Sequence, residues 1–481
     1  DSYGGQKVAI LVPYIGAELP VWWDVFAQHA GYNDGLVDWL IFCDEASYNT
    51  PPNVKFHPMD TERMAWLLAG VVEAGDIDTT ERSYASQQRN RLTPHLEMLL
   101  VEEKFGKSSN SSLELCGENH DAQTTHNPNT AAHLLVHSLS PCRPILMASP
   151  YFLVEFKPAL GWLFRDYIAG YSHWGYGDLD VLFGNMQHGW LEAEELRDFD
   201  VLTFSFGDQY RAYLRGQLTI QKNVPEVNQV WRACGHFARY RQRLEQSAAG
   251  GRPMRVESAE GCYSLAVSKN PSLRIKFAVK ALSDVGMKNE SSSQAVYVQG
   301  NGQVMQCPSL AAFNRAGEER GRDGTRSLLG LPHTQKRMQG RMVRVGVKRA
   351  VGGDRCEHWV KDRYQTCLDN VTASDTLFLY RGTYFKQGFR DMWEEAHTAG
   401  EGCRAGALYH FQRYKVNYRS WNTRPQVPPV HVGMTAGPNG LVPLPADGWR
   451  IRSVNPLMEK PAKPHKGRPE FHCRDWVTRK K

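Results

Sequence analysis

Two continuous apolar runs near the start of the chain limit the fold more than any other feature. Residues 7–14 read K-V-A-I-L-V-P-Y, and residues 37–43 read V-D-W-L-I-F-C. Runs of this length without polar alternation are typical of parallel strands that are buried on both faces. Apolar residues at helical spacing over 19–29 and 60–73 predict helices, and a third short strand is predicted at 54–59. The pattern favours an α/β domain.

Polar and turn residues follow the first two strands at their carboxyl ends. Pro13 and Tyr14 end the first strand, and Asp44 comes directly after the second. Ligands of open α/β sheets bind outside the carboxyl ends of the strands. These three residues are therefore candidates for binding the base and ribose of a nucleotide. Alternatively, Asp44 only caps the next turn.

The Asp-x-Asp pattern occurs at residues 76–78, 178–180 and 198–200, which is no more than chance gives in 481 residues. The first occurrence lies at the end of a predicted helix, and the third precedes a predicted strand. Only the second lies between two apolar segments, in residues 171–184, which read Y-S-H-W-G-Y-G-D-L-D-V-L-F-G. There the carboxylates would be buried unless something charged pairs with them.

In an extended segment, Asp178 and Asp180 would share one face while Leu179 turns into the core. Two carboxylates on one face suit a hard divalent cation such as Mg²⁺ or Mn²⁺. Such a cation could bridge the diphosphate of a nucleotide-sugar and neutralise the charge of the departing nucleotide. The alternative is that both aspartates lie on a solvated turn.

Four stretches resemble one little-characterised family of GT-A-type glycosyltransferases. Residues 149–160 read S-P-Y-F-L-V-E-F-K-P-A-L, where the family has a pattern close to P-Y-K-L-C-D-F-K-P-A-Y-G. Residues 170–184 are similar to its G-Y-D-F-W-G-Y-C-D-I-D-L-I-F-G, and residues 215–228 are similar to R-G-H-L-T-L-Y-R-N-T-P-E-V-N. Residues 10–16, I-L-V-P-Y-I-G, look like the family's first strand. The resemblance covers about half of the chain, in order. The chain departs from the family pattern at Glu155 (Asp in the family), Gly177 (Cys) and Gln217 (His).

This resemblance implies a GT-A-like fold, a Rossmann-type mixed sheet with helices on both faces and loop insertions. It also implies a metal-dependent transferase that moves a sugar from a nucleotide-sugar, a UDP-sugar in particular, to a glycan or glycoprotein acceptor. The implied cofactor is Mn²⁺ or Mg²⁺.

The resemblance also assigns roles to single residues. Lys157 would add a positive charge beside the diphosphate, although it could simply be a surface lysine. Arg215 lies in a run whose donors would bind the nucleotide-sugar. Glu260 would be the carboxylate that accepts the acceptor's proton, although Ala259 stands where the family prefers Asp. His410 would complete the metal site with Asp178 and Asp180, and the alternative is a core histidine.

Composition excludes some classes and favours a compartment. The net charge of +6 is small, and the basic residues are mostly scattered, so nucleic acid is not an expected partner. Ten cysteines without a Cys-x-x-Cys pattern argue against zinc and allow disulfides, for which Cys356, Cys367 and Cys403 are candidates. The chain contains three sequons, at Asn110, Asn289 and Asn370. They favour the Golgi or another secretory lumen.

No run of eighteen apolar residues occurs, so any membrane attachment would need an anchor absent from this chain.

Residues 1–421 are expected to form the catalytic domain, and residues 422–481 a tail rich in proline and basic residues. Insertions are expected at about 103–141 and 283–355, the second with one short basic strand. Further predicted elements are helices at 157–168, 190–196 and 224–243 and strands at 201–206, 342–348, 376–380 and 406–411.

Two other functions fit parts of the sequence. Residues 178–182 are similar to the nucleophile loop of haloacid-dehalogenase-type phosphatases. That class needs a second acidic pair downstream, and the chain contains no Asp-Asp. A carbohydrate-binding relative of the transferase fold without catalytic activity is the other alternative.

Overall fold

The structure, a computed structural model, describes residues 3–16, 19–20, 22–44, 50–76, 150–187, 189–206, 211–240, 242–243, 246, 259–279, 281–283, 295–298, 302–307, 342–345, 347–348, 366–371, 375–388, 404–411, 434–437 and 440–443. The described strands are β1 Val8–Pro13, β2 Val37–Cys43, β3 Val54–Pro58, β4 His173–Gly177, β5 Val181–Phe183, β6 Val201–Ser205, β7 Arg211–Ala212, β8 Leu218–Lys222, β9 Ile275–Val279, β10 Ala281–Ser283, β11 Ala295–Val298, β12 Val304–Cys307, β13 Val343–Arg344, β14 Val347–Lys348, β15 Thr366–Leu368, β16 Asp375–Tyr380, β17 Thr383–Gly388, β18 Arg404–Gly406, β19 Leu408–His410, β20 Met434–Gly437 and β21 Gly440–Pro443. The described helices are α1 Trp23–Gly31, α2 Thr61–Asp76, α3 Leu160–Leu163, α4 Ala193–Asp198, α5 Pro225–Asn228 and α6 Ala259–Lys269, with the 3-10 helices η1 Pro150–Ala159, η2 Val230–Ala233 and η3 Phe237–Arg239.

A ten-stranded mixed sheet organises the described chain, in the order β13-β17-β16-β9-β6-β8-β4-β1-β2-β3. Strands β3, β2, β1 and β4 are mutually parallel, and β8 lies antiparallel between β4 and β6. The predicted α/β class is therefore confirmed. Three smaller sheets, β10-β19-β5, β18-β12-β11-β20-β21 and β14-β15-β7, complete the described strands.

Helices cover both faces of the large sheet, which explains why its central strands are almost wholly apolar. In β1, Ala9 and Leu11 pack with α2 and α3 in one core, whereas Val8 and Ile10 pack with α1 in another. A strand covered on both faces gains from apolar residues at every position. This is the physical origin of the two runs seen in the sequence.

Asp38 is a carboxylate buried within the apolar strand β2, and it has three polar partners. Lys55 Nζ lies 2.6 Å and Lys7 Nζ 2.9 Å from its Oδ2, and the Tyr171 hydroxyl donates to the same oxygen at 2.6 Å. Burial raises the pKa of Asp38, but these hydrogen bonds outweigh that effect and hold the pKa below its usual value. The ion pairs thus offset part of the cost of burying a carboxylate in the strand.

The predicted helix at 157–168 is wrong in both its start and its end. Pro158 lies inside η1, which begins seven residues before Lys157 at Pro150, and α3 ends at Leu163. Tertiary packing explains the early end, because Phe164 stacks on Phe42 of β2 with ring centroids 3.9 Å apart.

The predicted single helix at 224–243 is interrupted: its described residues form the short turns α5, η2 and η3, and residues 240, 242 and 243 are helical again. Cys234, between η2 and η3, has extended backbone angles and forms a disulfide with Cys262 of α6. This disulfide holds Cys234 against α6, at a position that would lie inside one continuous helix over 224–243.

Several strand predictions also need correction. The strand predicted at 342–348 is two short strands, β13 and β14, in different sheets, and that at 406–411 is β18 and β19, again in different sheets. Residues 283–355 contain β11 and β12 as well, so this segment carries more regular structure than the sequence indicated. Part of the tail forms the hairpin β20–β21, which pairs with β11. The insertion at 103–141 lies outside the described residues.

Cysteine pairing agrees with the expectation of disulfides. Besides the Cys234–Cys262 bond, Cys307 and Cys367 each take part in a disulfide, whereas Cys43 is a buried cysteine outside these bonds. Cys356 and Cys403 lie outside the described residues, as do the sequons at 110 and 289. The third sequon residue, Asn370, is exposed. Within the described residues, no helix is long and apolar enough to cross a membrane.

Candidate metal centre

The Asp-x-Asp segment lies where the chain leaves the large sheet. Strand β4 ends at Gly177, the chain bends through residues 178–180, and β5 then joins the small sheet β10-β19-β5. The predicted extended geometry is therefore wrong, because the change of sheet requires a bend. Asp178 is nevertheless half-buried, and Asp180 is buried at 8% exposure. Leu179 packs against the core on the α1 side of the sheet, as expected.

Strand β19 brings His410 to the same bend. It pairs antiparallel with β5, so that His410 lies opposite Val181, and the Phe411 amide donates to the Asp180 carbonyl at 3.2 Å. His410 Nε2 lies 3.5 Å from Asp180 Oδ2. One ligand atom from each of Asp178, Asp180 and His410 lies within 4.8 Å of the other two.

This donor set suits a divalent first-row metal ion. Two carboxylates favour Mg²⁺, Ca²⁺ or Mn²⁺, and an imidazole favours transition metals over Mg²⁺. Asp180 and His410 are both buried, so a cation between them would be partly shielded from water. The residues therefore fit Mn²⁺ better than Mg²⁺.

Lys157 stands directly beside this cluster, at the carboxyl end of η1. Its Nζ donates to Asp178 Oδ1 at 2.5 Å and to the Gly216 carbonyl at 2.9 Å. Burial lowers the pKa of Lys157, but Asp178 and Glu260 outweigh burial and raise the pKa above its usual value. Lys157 is thus a buried ammonium and not a surface lysine, being 7% exposed.

Glu260 lies on the other side of Lys157, in the first turn of α6. Its Oε1 is 4.0 Å from Lys157 Nζ, and the Tyr213 hydroxyl donates to Oε2 at 3.2 Å. Burial raises the pKa of Glu260, while Lys157 partly opposes the rise. Gly216 leaves the space that this carboxylate occupies, because a Cβ at residue 216 would lie 1.9 Å from Oε1. A half-buried carboxylate with a raised pKa is a stronger base than an exposed one.

An aromatic shell connects Arg215 with both ends of the cluster. The guanidinium lies 5.7 Å from the ring centroid of Phe206 and 5.1 Å from that of Tyr213. The Phe206 ring stacks beside His410 at 6.1 Å, and Tyr213 contacts Glu260. Arg215 therefore lies next to the residues that flank the proposed metal ligand and base.

Pro13, Tyr14 and Asp44 lie at the carboxyl edge of the parallel strands. The β1–β4 register, continued by two residues, aligns Pro13 with Asp178. The Tyr14 amide donates to the Phe42 carbonyl at 2.8 Å, and Asp44 is exposed. These residues therefore lie at the same edge of the sheet as Asp178. Binding of the base and ribose there stays a prediction.

Three further residues lie at the site: Gln217, from the run whose donors were expected to bind the nucleotide-sugar, and Tyr213 and Phe206, which were not predicted. Gln217 Nε2 lies 3.4 Å from Asp178 Oδ2, at a position where the resemblance had left the role open. Tyr213 and Phe206 gave no sequence signal, because isolated aromatic residues are usually core residues.

Comparison with known proteins adds one match. A model described as a family of unknown function, DUF6625, matches residues 138–309, a segment that includes Lys157, the two aspartates and Glu260 but not His410. No curated protein and no solved structure matches the chain.

Proposed function

We propose that this protein is a metal-dependent glycosyltransferase that moves a sugar from a nucleotide-sugar to a glycan or glycoprotein acceptor. One observation carries the proposal. Asp178, Asp180 and His410 converge on one point, although nearly half of the chain separates the aspartates from the histidine. A buried lysine and a carboxylate with a raised pKa lie next to that point. Glycosyl transfer uses both kinds of group, a cation to stabilise the leaving diphosphate and a base to accept the acceptor's proton.

The metal's contribution would be to neutralise negative charge on the leaving nucleotide diphosphate. Asp178, Asp180 and His410 would hold it, with Mn²⁺ preferred for the reason given above. Lys157 would add a second positive charge to the same diphosphate, because its Nζ already lies within 2.5 Å of a proposed metal ligand.

Glu260 would act on the acceptor. Its carboxylate takes the proton of the acceptor hydroxyl while the hydroxyl oxygen bonds to the anomeric carbon. The bond from that carbon to the diphosphate breaks, and the nucleoside diphosphate leaves with the electron pair. Desolvation makes the half-buried Glu260 a stronger base than a fully exposed glutamate.

The remaining candidates would select the donor. We assign the base and ribose of a UDP-sugar to Pro13, Tyr14 and Asp44, because donor sites of open α/β sheets lie beyond the strand ends. Arg215 and Gln217, beside the cluster, would bind the diphosphate or the sugar hydroxyls.

The finer assignments follow from the same resemblance. We propose that the mixed sheet with helices on both faces is of the GT-A type, and that the protein works in the Golgi or another secretory lumen. The disulfides and the exposed sequon residue Asn370 support that compartment.

One experiment separates the proposal from its alternatives. Purified protein is incubated with a panel of nucleotide-sugars, with and without Mn²⁺, and free nucleotide is measured; p-nitrophenyl phosphate is tested in parallel. We expect Mn²⁺-dependent release of nucleotide from one donor class. Release of phosphate from p-nitrophenyl phosphate alone would identify a phosphatase, and sugar binding without release would identify a carbohydrate-binding protein.

A further inference from the structure

The short segment from Cys234 to His236 is linked to two elements of the candidate site at once. Cys234 forms a disulfide with Cys262 of α6, with the Cα atoms 5.4 Å apart. His236 Nε2 lies 2.9 Å from Oε2 of Glu155 in η1. Both links are buried, since Glu155 is 0% and His236 2% exposed.

Each link lies two residues from a charged residue of the site. Glu155 precedes Lys157 by two residues in η1, and Cys262 follows Glu260 by two residues in α6. Helices η1 and α6 pack directly on each other, and α6 also packs on η2. The segment therefore holds the two elements that carry the Lys157–Glu260 pair.

We propose that residues 234–236 form a brace that positions Lys157 against Glu260. The inference rests on the proposed function for its catalytic consequence, but not for the coupling between the two residues. Positioning matters here because Lys157 Nζ lies 2.5 Å from Asp178 but 4.0 Å from Glu260, so the lysine is shared unequally between two carboxylates. The interaction energy varies inversely with distance, and small shifts of η1 or α6 would change that division.

The surroundings of the brace give it the rigidity that this role needs. Glu155 and His236 lie beside an aromatic cluster in which Tyr240 contacts the rings of His236, Phe156 and Phe152. In such an apolar environment, breaking a contact between a buried carboxylate and a hydrogen-bonding partner is costly. The disulfide makes the other link covalent.

A thermodynamic cycle tests the brace without any assay of sugar transfer. Urea unfolding is measured for the native protein, Lys157→Met, Glu260→Gln and the double variant. The coupling between Lys157 and Glu260 is the ratio by which one substitution changes the unfolding equilibrium constant with and without the other. The same cycle is repeated in a Cys234→Ser/Cys262→Ser background and in Glu155→Ala. We expect the coupling ratio to fall at least about threefold in both backgrounds, because η1 and α6 no longer hold the pair in register.

Conservative and distant variants separate positioning from general stability. Glu155→Gln keeps an oxygen acceptor for His236, so it should retain most of the coupling. Comparing it with Glu155→Ala tests the brace even if the serine variants fail to fold. Glu195→Gln breaks the buried ion pair with Lys276, which lies apart from the brace, and should lower stability with the coupling unchanged.

Coupling that is unchanged in the Cys234→Ser/Cys262→Ser and Glu155→Ala backgrounds would overturn the brace. So would an equal loss in Glu195→Gln. If the protein also turns over a donor, the brace variants should lower kcat about tenfold or more, because Lys157 and Glu260 are no longer held in the reacting geometry. Absence of turnover in the native protein would reject the proposed function and leave the coupling result standing.

Discussion

Asp180 Oδ2 and His410 Nε2 lie 3.5 Å apart, although the two residues are separated by nearly half of the chain. The contact exists because β5 and β19 pair antiparallel directly after the bend that carries Asp178 and Asp180. A single cation at this point would thus link an early and a late part of the fold.

The first prediction concerns His410. If it is a metal ligand, Mn²⁺ with UDP should raise the melting temperature of the native protein, because a ligand that binds only the folded state stabilises it by mass action. His410→Ala should lose most of this shift. The measurement is thermal unfolding with and without Mn²⁺ and UDP, compared for each variant with its own ligand-free value.

The matched control is His57→Ala, because His57 packs on the rings of Phe42 and Tyr167 and not on the metal cluster. It should keep the full Mn²⁺-dependent shift. Equal shifts in the two variants would make His410 a core residue and leave the metal to the aspartates and the diphosphate.

The second prediction concerns the aspartates. Asp178→Asn and Asp180→Asn should each lower sugar transfer by more than about a hundredfold, because each removes a charged oxygen ligand and the charge stabilisation that the metal supplies is worth several kcal/mol. Circular dichroism should remain native, since Lys157 keeps the Gly216 carbonyl and Glu260 as partners. Full turnover of either variant at saturating Mn²⁺ would reject the metal assignment.

The part of the fold predicted correctly from sequence is the part whose pattern has one physical cause. Strands buried on both faces are apolar at almost every position, so β1 and β2 could be predicted almost to the residue. Helical spacing does not report where tertiary contacts stop a helix. Phe164 stacking on Phe42 and the Cys234–Cys262 bond therefore interrupt helices that the sequence alone predicted as continuous.

The candidate site likewise has residues that could be proposed from the sequence and contacts that could not. Asp178 and Asp180 could be proposed from their unusual placement between apolar segments, and Lys157, Glu260 and His410 from the resemblance. The pairing of β5 with β19, which brings His410 to the bend, is a long-range contact that no local pattern encodes. Tyr213 and Gln217 act through contacts that appear only once the chain has folded.

The third prediction uses the space beside Glu260. Gly216→Ala would place a Cβ 1.9 Å from Glu260 Oε1 and 3.1 Å from Lys157 Nζ, so the carboxylate must move. Because the displaced group is a side-chain end, the cost in unfolding free energy should be only about 1 kcal/mol. Transfer should fall about tenfold or more through misplacement of the base. Gly170→Ala, where a Cβ meets nothing within 4 Å, should change neither quantity.

The fourth prediction is a pH–rate profile. Burial raises the pKa of Glu260, so transfer should decline with falling pH above the ordinary carboxyl value of about 4.3, as the base becomes protonated. Lys157 opposes the rise, so Lys157→Met should move this acid limb to higher pH. Lys222→Met, at the opposite end of β8, should leave it in place. An acid limb that stays in place in Lys157→Met would remove Glu260 from the role of base.

The last prediction concerns stability and two buried histidines that have no proposed role in the chemistry. Burial lowers the pKa of His173 to about 4, and burial likewise lowers the pKa of His29 to about 4. Between about pH 6.5 and 4 the unfolded chain binds protons that these folded histidines do not, so the free energy of unfolding must fall as pH falls through that window. Each histidine should contribute a loss on the order of 2 kcal/mol by pH 4.5. His173 Nε2 lies 2.9 Å from the Leu196 carbonyl, a contact that an amide can replace, so His173→Gln should fold and show a smaller loss between pH 7 and 4.5 in urea unfolding. A loss equal to that of the native protein would mean that His173 is protonated in the folded state.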